Sequence, residues 1–297
     1  MCFPENIKLP FFSYGLFKPD QLGFYRIEKY VKKSSKAEAP GILKERDGIP
    51  LYIFSRYSKI KGYLIEFEDG KENEAYKNIN EVEPSIIYEW SEQRFGKDRV
   101  NLLKGKKDNK GVFDLEGIEE WDGRDDPLFK QGLQEIKYII EKNKNEYIKA
   151  NPDERDYKPF FQLQMAYVFL WSIIERYATM RYCLGGNDIY YLSKNRQQIN
   201  KDEYFKECLK HVVKDKRSVV RVNDLKEFSL DISNPNYNPL EYYYTIRSNV
   251  VHRGKSVPND FDMLKLTLNE LYCIFNDVIN NAFDVLSKNN HSRRIKC

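Results

Sequence analysis

The sequence predicts a multi-domain α+β chain: a small mixed, barrel-like first domain, then an all-α helical bundle. Two observations carry this. Up to about residue 104, apolar runs of strand length alternate with turn signals, whereas from Asp126 onward apolar residues recur at three-to-four spacing. Between these halves lie a charged, glycine-bounded stretch (Gly105-Lys106-Lys107-Asp108-Asn109-Lys110-Gly111) and a turn cluster at 121–127. The boundaries read as a first domain over 1–110, a linker over 111–125 and a helical domain over 126–297.

In chain order, 11–17 is apolar and aromatic and runs into the turn Lys18-Pro19-Asp20. Strands are predicted over 50–54 and 60–67, the second ending at Glu68-Asp69-Gly70-Lys71, and shorter ones over 85–90 and 99–103. A helix fits 71–80. Beyond the linker, helices are predicted over 128–150, 160–184, 201–214, 240–252 and 260–287. Asp260 suits the N-cap of the last, whose buried face should be Leu264, Leu268, Leu271, Phe275 and Val278.

The totals narrow the function classes. A chain of 297 residues can bury a sizeable core, and 32% charged residues beside long periodic segments indicates a folded, water-facing protein. The net charge of +4 argues only weakly for a polyanionic partner. The 22 tyrosines and 18 phenylalanines read as core filling, with no cluster that makes a base-stacking platform. Cys2, Cys183, Cys208, Cys273 and Cys297 are scattered, as are three histidines, so neither a metal site nor a disulfide framework is expected, and no cofactor is implied. The N-terminus lacks the pattern of a secretory leader and the most apolar run, 165–174, is too short to span a bilayer, so a cytoplasmic location without membrane contact is expected.

The chemistry concentrates in Tyr244-Thr245-Ile246-Arg247-Ser248-Asn249-Val250-Val251-His252-Arg253-Gly254. An imidazole can move a proton near neutral pH, and a guanidinium can hold charge that develops on phosphate. Arg247 and His252 are five residues apart, so on a straight helix they point roughly 140° from one another. One cleft therefore needs a distorted helix end, a long reach by the guanidinium, or two copies of the segment facing each other. On these residues alone, His252 and Arg253 before Gly254 equally suit an ordinary helix C-terminus.

This segment resembles the HEPN family of ribonucleases, whose signature is an Arg followed by a polar residue and, four to six positions on, a His. The likeness extends through the helix after it and takes in the earlier segment Phe169-Leu170-Trp171-Ser172-Ile173-Ile174-Glu175-Arg176-Tyr177, over about the last 170 residues. Ser248 stands where Asn is common, and Asn249 follows it. The resemblance implies a homodimeric, metal-independent endoribonuclease in which the RNA 2′-hydroxyl attacks its own phosphate. His252 would move the proton, Arg247 would stabilise the charge, and Ser248 and Asn249 would orient the groups. Arg253 and Lys255 would position the RNA backbone, and Glu175 would pair with Arg247.

At the other end, Phe12-Ser13-Tyr14-Gly15-Leu16-Phe17-Lys18-Pro19 resembles the opening strand of the gamma-glutamyl cyclotransferase-like fold. Ile60-Lys61-Gly62-Tyr63-Leu64 and Ile79-Asn80-Glu81-Val82-Glu83 are similar to two later pieces of it, in order, over roughly residues 9–104. The likeness implies a small-ligand pocket formed by Tyr14, Gly15, Leu16 and Glu83, with Glu83 the counterpart of the catalytic acid. Leu16 replaces a hydroxyl residue and Asn80 an Asp, which favours a ligand-binding or regulatory pocket over an active cyclotransferase. The joint expectation is a toxin or antiviral defence effector that cuts RNA, restrained by an antitoxin or triggered by a small molecule. The alternative is an active cyclotransferase whose helical domain only dimerises or binds RNA.

Overall fold

The computed structural model describes residues 2–46, 48–83, 85–106, 113–114, 118–149, 151–182, 191–234, 238–253 and 260–283. They form two compact units. The first comprises the residues through Asp126 with 179–182 and 282–283; the second comprises 127–178 and 191–281.

In the first unit, β1 (Phe11–Ser13) is the centre of a five-stranded sheet, which explains why all three of its residues are buried. It runs antiparallel to β5 (Lys59–Phe67) and parallel to β7 (Asp98–Gly105), with β2 (Val31–Pro40) and β6 (Tyr88–Phe95) at the edges. Gly62 of β5 lies against Ser13 and the ring of Phe12, so closely that a β-carbon there would collide with both. A second sheet contains β3 (Ile42–Arg46) between β4 (Ile49–Ile53) and β8 (Phe113–Asp114). The expected strands at 50–54, 60–67, 85–90 and 99–103 are present with shifted ends, while β2 and β3 were not anticipated.

Among the described residues the strands of this half, expected to be barrel-like, form two sheets. Among the described residues β4 pairs only with β3, and tyrosine hydroxyls bridge it to the larger sheet. The Tyr14 hydroxyl accepts from the Tyr52 amide at 3.2 Å and donates to the Leu103 carbonyl at 2.6 Å. The Tyr88 hydroxyl donates to the Pro50 carbonyl at 2.6 Å. Rings fill the interior, with Trp90 edge-on to Phe11 and Tyr76 at 5.7 and 5.2 Å, in keeping with aromatic core filling.

Helix α1 (Glu72–Val82) buries Ala75, Tyr76, Ile79 and Val82 at helical spacing. It stops because Pro84 follows: Glu83 is held extended at φ −82°, ψ 120°, the conformation a residue before proline prefers. The stretch expected as a linker is in part built into this unit. Trp121 is buried, Gln21 binds both Asp122 and the Gly123 amide, and the Lys61 amide donates to the Glu119 carbonyl at 2.7 Å.

The second unit consists mainly of helices: α2 (Leu133–Lys142), α3 (Lys158–Tyr182, whose last turn belongs to the first unit), α4 (Tyr191–Lys201), α5 (Glu203–Val212), α6 (Pro239–Arg253) and α7 (Phe261–Phe283). The expected face of α7, Leu264 to Val278, is buried at every named position. Helix α2 ends earlier than expected, at Lys142, where Asn143 turns its side-chain amide back onto the Ile139 carbonyl. Asp202 caps α5 by accepting from the Tyr204 and Phe205 amides. Cys208 is a buried thiol that burial pushes up to about 12, which keeps it protonated and inert.

The all-α expectation for this half is corrected by a hairpin, β9 (Arg217–Val220) and β10 (Glu227–Leu230). It is fastened at both ends. Arg217 pairs with buried Glu270 of α7, which also accepts from the Tyr243 hydroxyl, and Asn249 of α6 holds the other end. No helix is long and apolar enough to cross a membrane among the described residues.

Candidate functional site

Two sites emerge, one in each unit. In the first unit, the loop leaving β1 and the residue that ends α1 face a small cavity of about 20 Å³, room for roughly one water. Its lining includes Ser13, Tyr14, Gly15, Leu16, Glu83 and Tyr88, so the four residues singled out from the sequence here come together. Glu83 is 7% exposed, and its Oε2 is buried with no hydrogen-bond partner. Burial without compensation disfavours the charged form and pushes the carboxyl up to about 8, so it is mostly protonated at neutral pH.

The two phenols of the cavity are committed elsewhere. The hydroxyls of Tyr14 and Tyr88 are spent on the sheet-to-sheet bridges, and burial raises both well above the usual phenol range. Leu16 is 2% exposed and adds only apolar surface. Gly15 lies against Pro50, where a β-carbon would come within 3.0 Å of the ring. Asn80 is not part of this lining: its side chain accepts from the Trp90 indole at 2.9 Å. The chemistry available is thus one protonated carboxyl beside the Ser13 side chain in a small cavity, suited to exchanging a proton or a hydrogen bond with a small guest.

In the second unit, the site forms where α6 passes α3 and α4. Tyr244 is its floor. Trp171 of α3 meets the Tyr244 ring edge-on at 5.4 Å, and the guanidinium of Arg196, on α4, sits 3.8 Å from the ring centroid. Arg196 Nε is held by Glu241 at 3.0 Å. Arg247 lies one turn beyond Tyr244, its guanidinium 5.6 Å from the same centroid, with a buried Nε that has no hydrogen-bond partner. Glu175 of α3 is half-buried. Burial raises its carboxyl pKa against the opposing pull of Arg247 and Arg196.

Glu175 therefore lies in the field of Arg247, but no ion pair within 4 Å joins them, because that guanidinium is held against Tyr244. Ser248 is buried beside Arg247. Asn249 also has a structural job. Its Oδ1 accepts from the Val222 amide at 3.0 Å, and its Nδ2 donates to the Val220 carbonyl at 2.9 Å. Both ends of the amide thus latch the hairpin, with one N–H and one oxygen lone pair left over.

Helix α6 is continuous through Arg253, so Arg247 and His252 leave its axis about 140° apart, and helix distortion between them is not the means of bringing them together. The side chains of His252 and Arg253 lie outside the described residues, as does Lys255 entirely. Arg196 was not anticipated, since its polar helix, Tyr191-Leu192-Ser193-Lys194-Asn195-Arg196, carries no motif.

The latch gives a direct prediction. Asn249→Ala leaves one amide and one carbonyl of the hairpin without their partners, at a cost of about 2 kcal/mol. Hydrogen exchange should show the Val222 amide losing protection while the α7 core keeps it. Unchanged protection at Val222 would mean the latch carries no load.

No family model, curated protein or solved structure matches the chain.

Proposed function

We propose that the chain is a metal-independent endoribonuclease of the HEPN type, with a small-ligand pocket in its first unit that regulates it. The observation that carries the nuclease reading is Arg247, a guanidinium without a hydrogen bond, beside a second guanidinium, on the helix that also bears His252. A half-buried cation that the protein does not satisfy is available to a phosphate.

In this mechanism the 2′-oxygen of RNA attacks the adjacent phosphorus while its proton passes to a base. The bond to the 5′-oxygen breaks and that oxygen takes up a proton. The products are a 2′,3′-cyclic phosphate and a 5′-hydroxyl. His252 serves the proton transfers, and Arg247 stabilises the charge on the pentacoordinate phosphorus. Because the two residues diverge along α6, the complete site draws Arg247 from one copy and His252 from a second in a homodimer. Arg253 and Lys255 follow the RNA backbone. Such an activity fits a toxin or defence effector under the control of a ligand or an antitoxin.

The test is purified full-length chain incubated with total RNA in EDTA. Fragments ending in cyclic phosphate and starting with 5′-hydroxyl are expected. Intact RNA, or cutting that requires added divalent metal, would overturn the reading.

Glu83 favours a second reading, gamma-glutamyl cyclotransfer. Here an α-amine attacks the γ-carbonyl, closes a five-membered ring and expels the γ-linked amine, and Glu83 relays the proton. Release of 5-oxoproline from a γ-glutamyl amine would support it.

A further inference from the structure

We infer that Arg196 is a second phosphate-binding residue, acting together with Arg247 on one RNA phosphodiester. This rests on the nuclease reading for the identity of the anion. The site itself rests on geometry.

Arg196 is a placed group rather than a roaming surface charge: its side chain is 13% exposed, its guanidinium lies over the Tyr244 ring at 3.8 Å, and Glu241 pins its Nε at 3.0 Å. Stacking and a single pinned nitrogen fix the plane of a guanidinium and direct its remaining donors. The two terminal amino groups of Arg196 make no hydrogen bond among the described residues, and neither does any nitrogen of Arg247. Two guanidinium groups thus keep unspent donors around one aromatic ring.

Glu175 is the carboxylate that would ordinarily neutralise such a pair. It is close enough to feel both cations yet is within 4 Å of neither. Arginine and carboxylate in a half-buried setting normally close into a bidentate pair. Both guanidinium groups instead have other contacts, Arg196 and Arg247 with the Tyr244 ring, which Trp171 meets edge-on, and Arg196 also with Glu241. A phosphodiester has two non-bridging oxygens, and this arrangement offers each of them its own fork of donors. Arg196 also comes from a different helix, α4, so the pair grips the phosphate from two elements.

The experiment is equilibrium binding of a fluorescent single-stranded RNA, 2′-O-methylated at every ribose, to the full chain across a salt series. Arg196→Gln is expected to weaken binding about tenfold. It should also flatten log affinity against log salt by the roughly 0.7 that one phosphate contributes in a single strand. Glu241→Gln unpins Arg196 but leaves its charge, so it should keep the wild-type slope, whereas a merely structural Arg196 would make the two variants alike. Arg196→Lys should restore the slope while binding more weakly than wild type.

A wild-type slope in a normally melting Arg196→Gln overturns the inference, and so does failure of the wild type to bind. Should Arg196→Gln not fold, the lysine variant decides: affinity equal to wild type overturns the inference, and weaker binding at the wild-type slope supports it. Since the methylated RNA cannot be cut by this chemistry, the two readings fail separately. A chain that binds as described but leaves ordinary RNA intact loses the nuclease reading and keeps the phosphate pair. A chain that cuts RNA in EDTA, yet shows an unchanged slope in Arg196→Gln, does the reverse.

Discussion

His252→Ala is expected to slow RNA cleavage by about 10²–10⁴-fold, the range a positioned general acid or base contributes. Arg247→Ala should cost about 10²–10³-fold, since it withdraws the charge that meets the developing phosphorane. Arg247→Lys should recover little, because a point charge cannot replace a fork of donors. Both variants should melt like the wild type if the losses are catalytic. Single-turnover cleavage of a short RNA measures these losses.

Mixing the two inactive alanine variants adds a sharper test. If each site takes Arg247 from one copy and His252 from another, subunit exchange recreates roughly a quarter of the wild-type sites. If both groups act from one chain, the mixture stays dead. The divergence of the two residues on an unbroken α6 predicts recovery.

The second large effect is one of stability against pH. Glu83 titrates near 8 in the folded chain and near the ordinary carboxylate value when unfolded. The fold therefore prefers the protonated carboxyl. Its stability is undiminished below about pH 4.5, falls as pH rises from there, and levels off above about 8. Glu83→Gln is a neutral near-isostere and removes this penalty, on the order of 3 kcal/mol at pH 7. Urea unfolding of the first unit should show the variant more stable than wild type at pH 8 and indistinguishable from it at pH 4. A wild-type slope in Glu83→Gln would sink the claim that this carboxyl is buried uncharged. The same variant should abolish any release of 5-oxoproline.

What the sequence made legible followed from how strongly each element advertises itself. Helix α7 buries its three-to-four apolar face as read, and the ends of α6 fall within a residue of expectation. The pocket was legible because Tyr14, Gly15, Leu16 and Glu83 belong to short runs whose order survives without any knowledge of contacts. Strand β2 was hidden by its composition, Val31-Lys32-Lys33-Ser34-Ser35-Lys36, since an edge strand has little to bury and blunts itself with lysine. The β9–β10 hairpin was hidden for another reason. Its strands are four residues long, and its turn reaches the left-handed region at Leu225, φ 57°, with no glycine to announce it.

The missed hairpin also hid what Asn249 meets, the Val222 amide and the Val220 carbonyl, a latch that nothing in its own neighbourhood announces. Arg196 was invisible for a related reason. Its meaning comes from Tyr244, 48 positions away, and no local spacing encodes that meeting.

The tyrosine bridges carry a last consequence, for selectivity. Since the Tyr14 and Tyr88 hydroxyl protons are already engaged in joining β4 to the larger sheet, a guest that sought either proton would have to break the seam to gain it. If the pocket takes a guest as proposed, discrimination falls chiefly to the proton on Glu83 and to the shape of the small cavity around it.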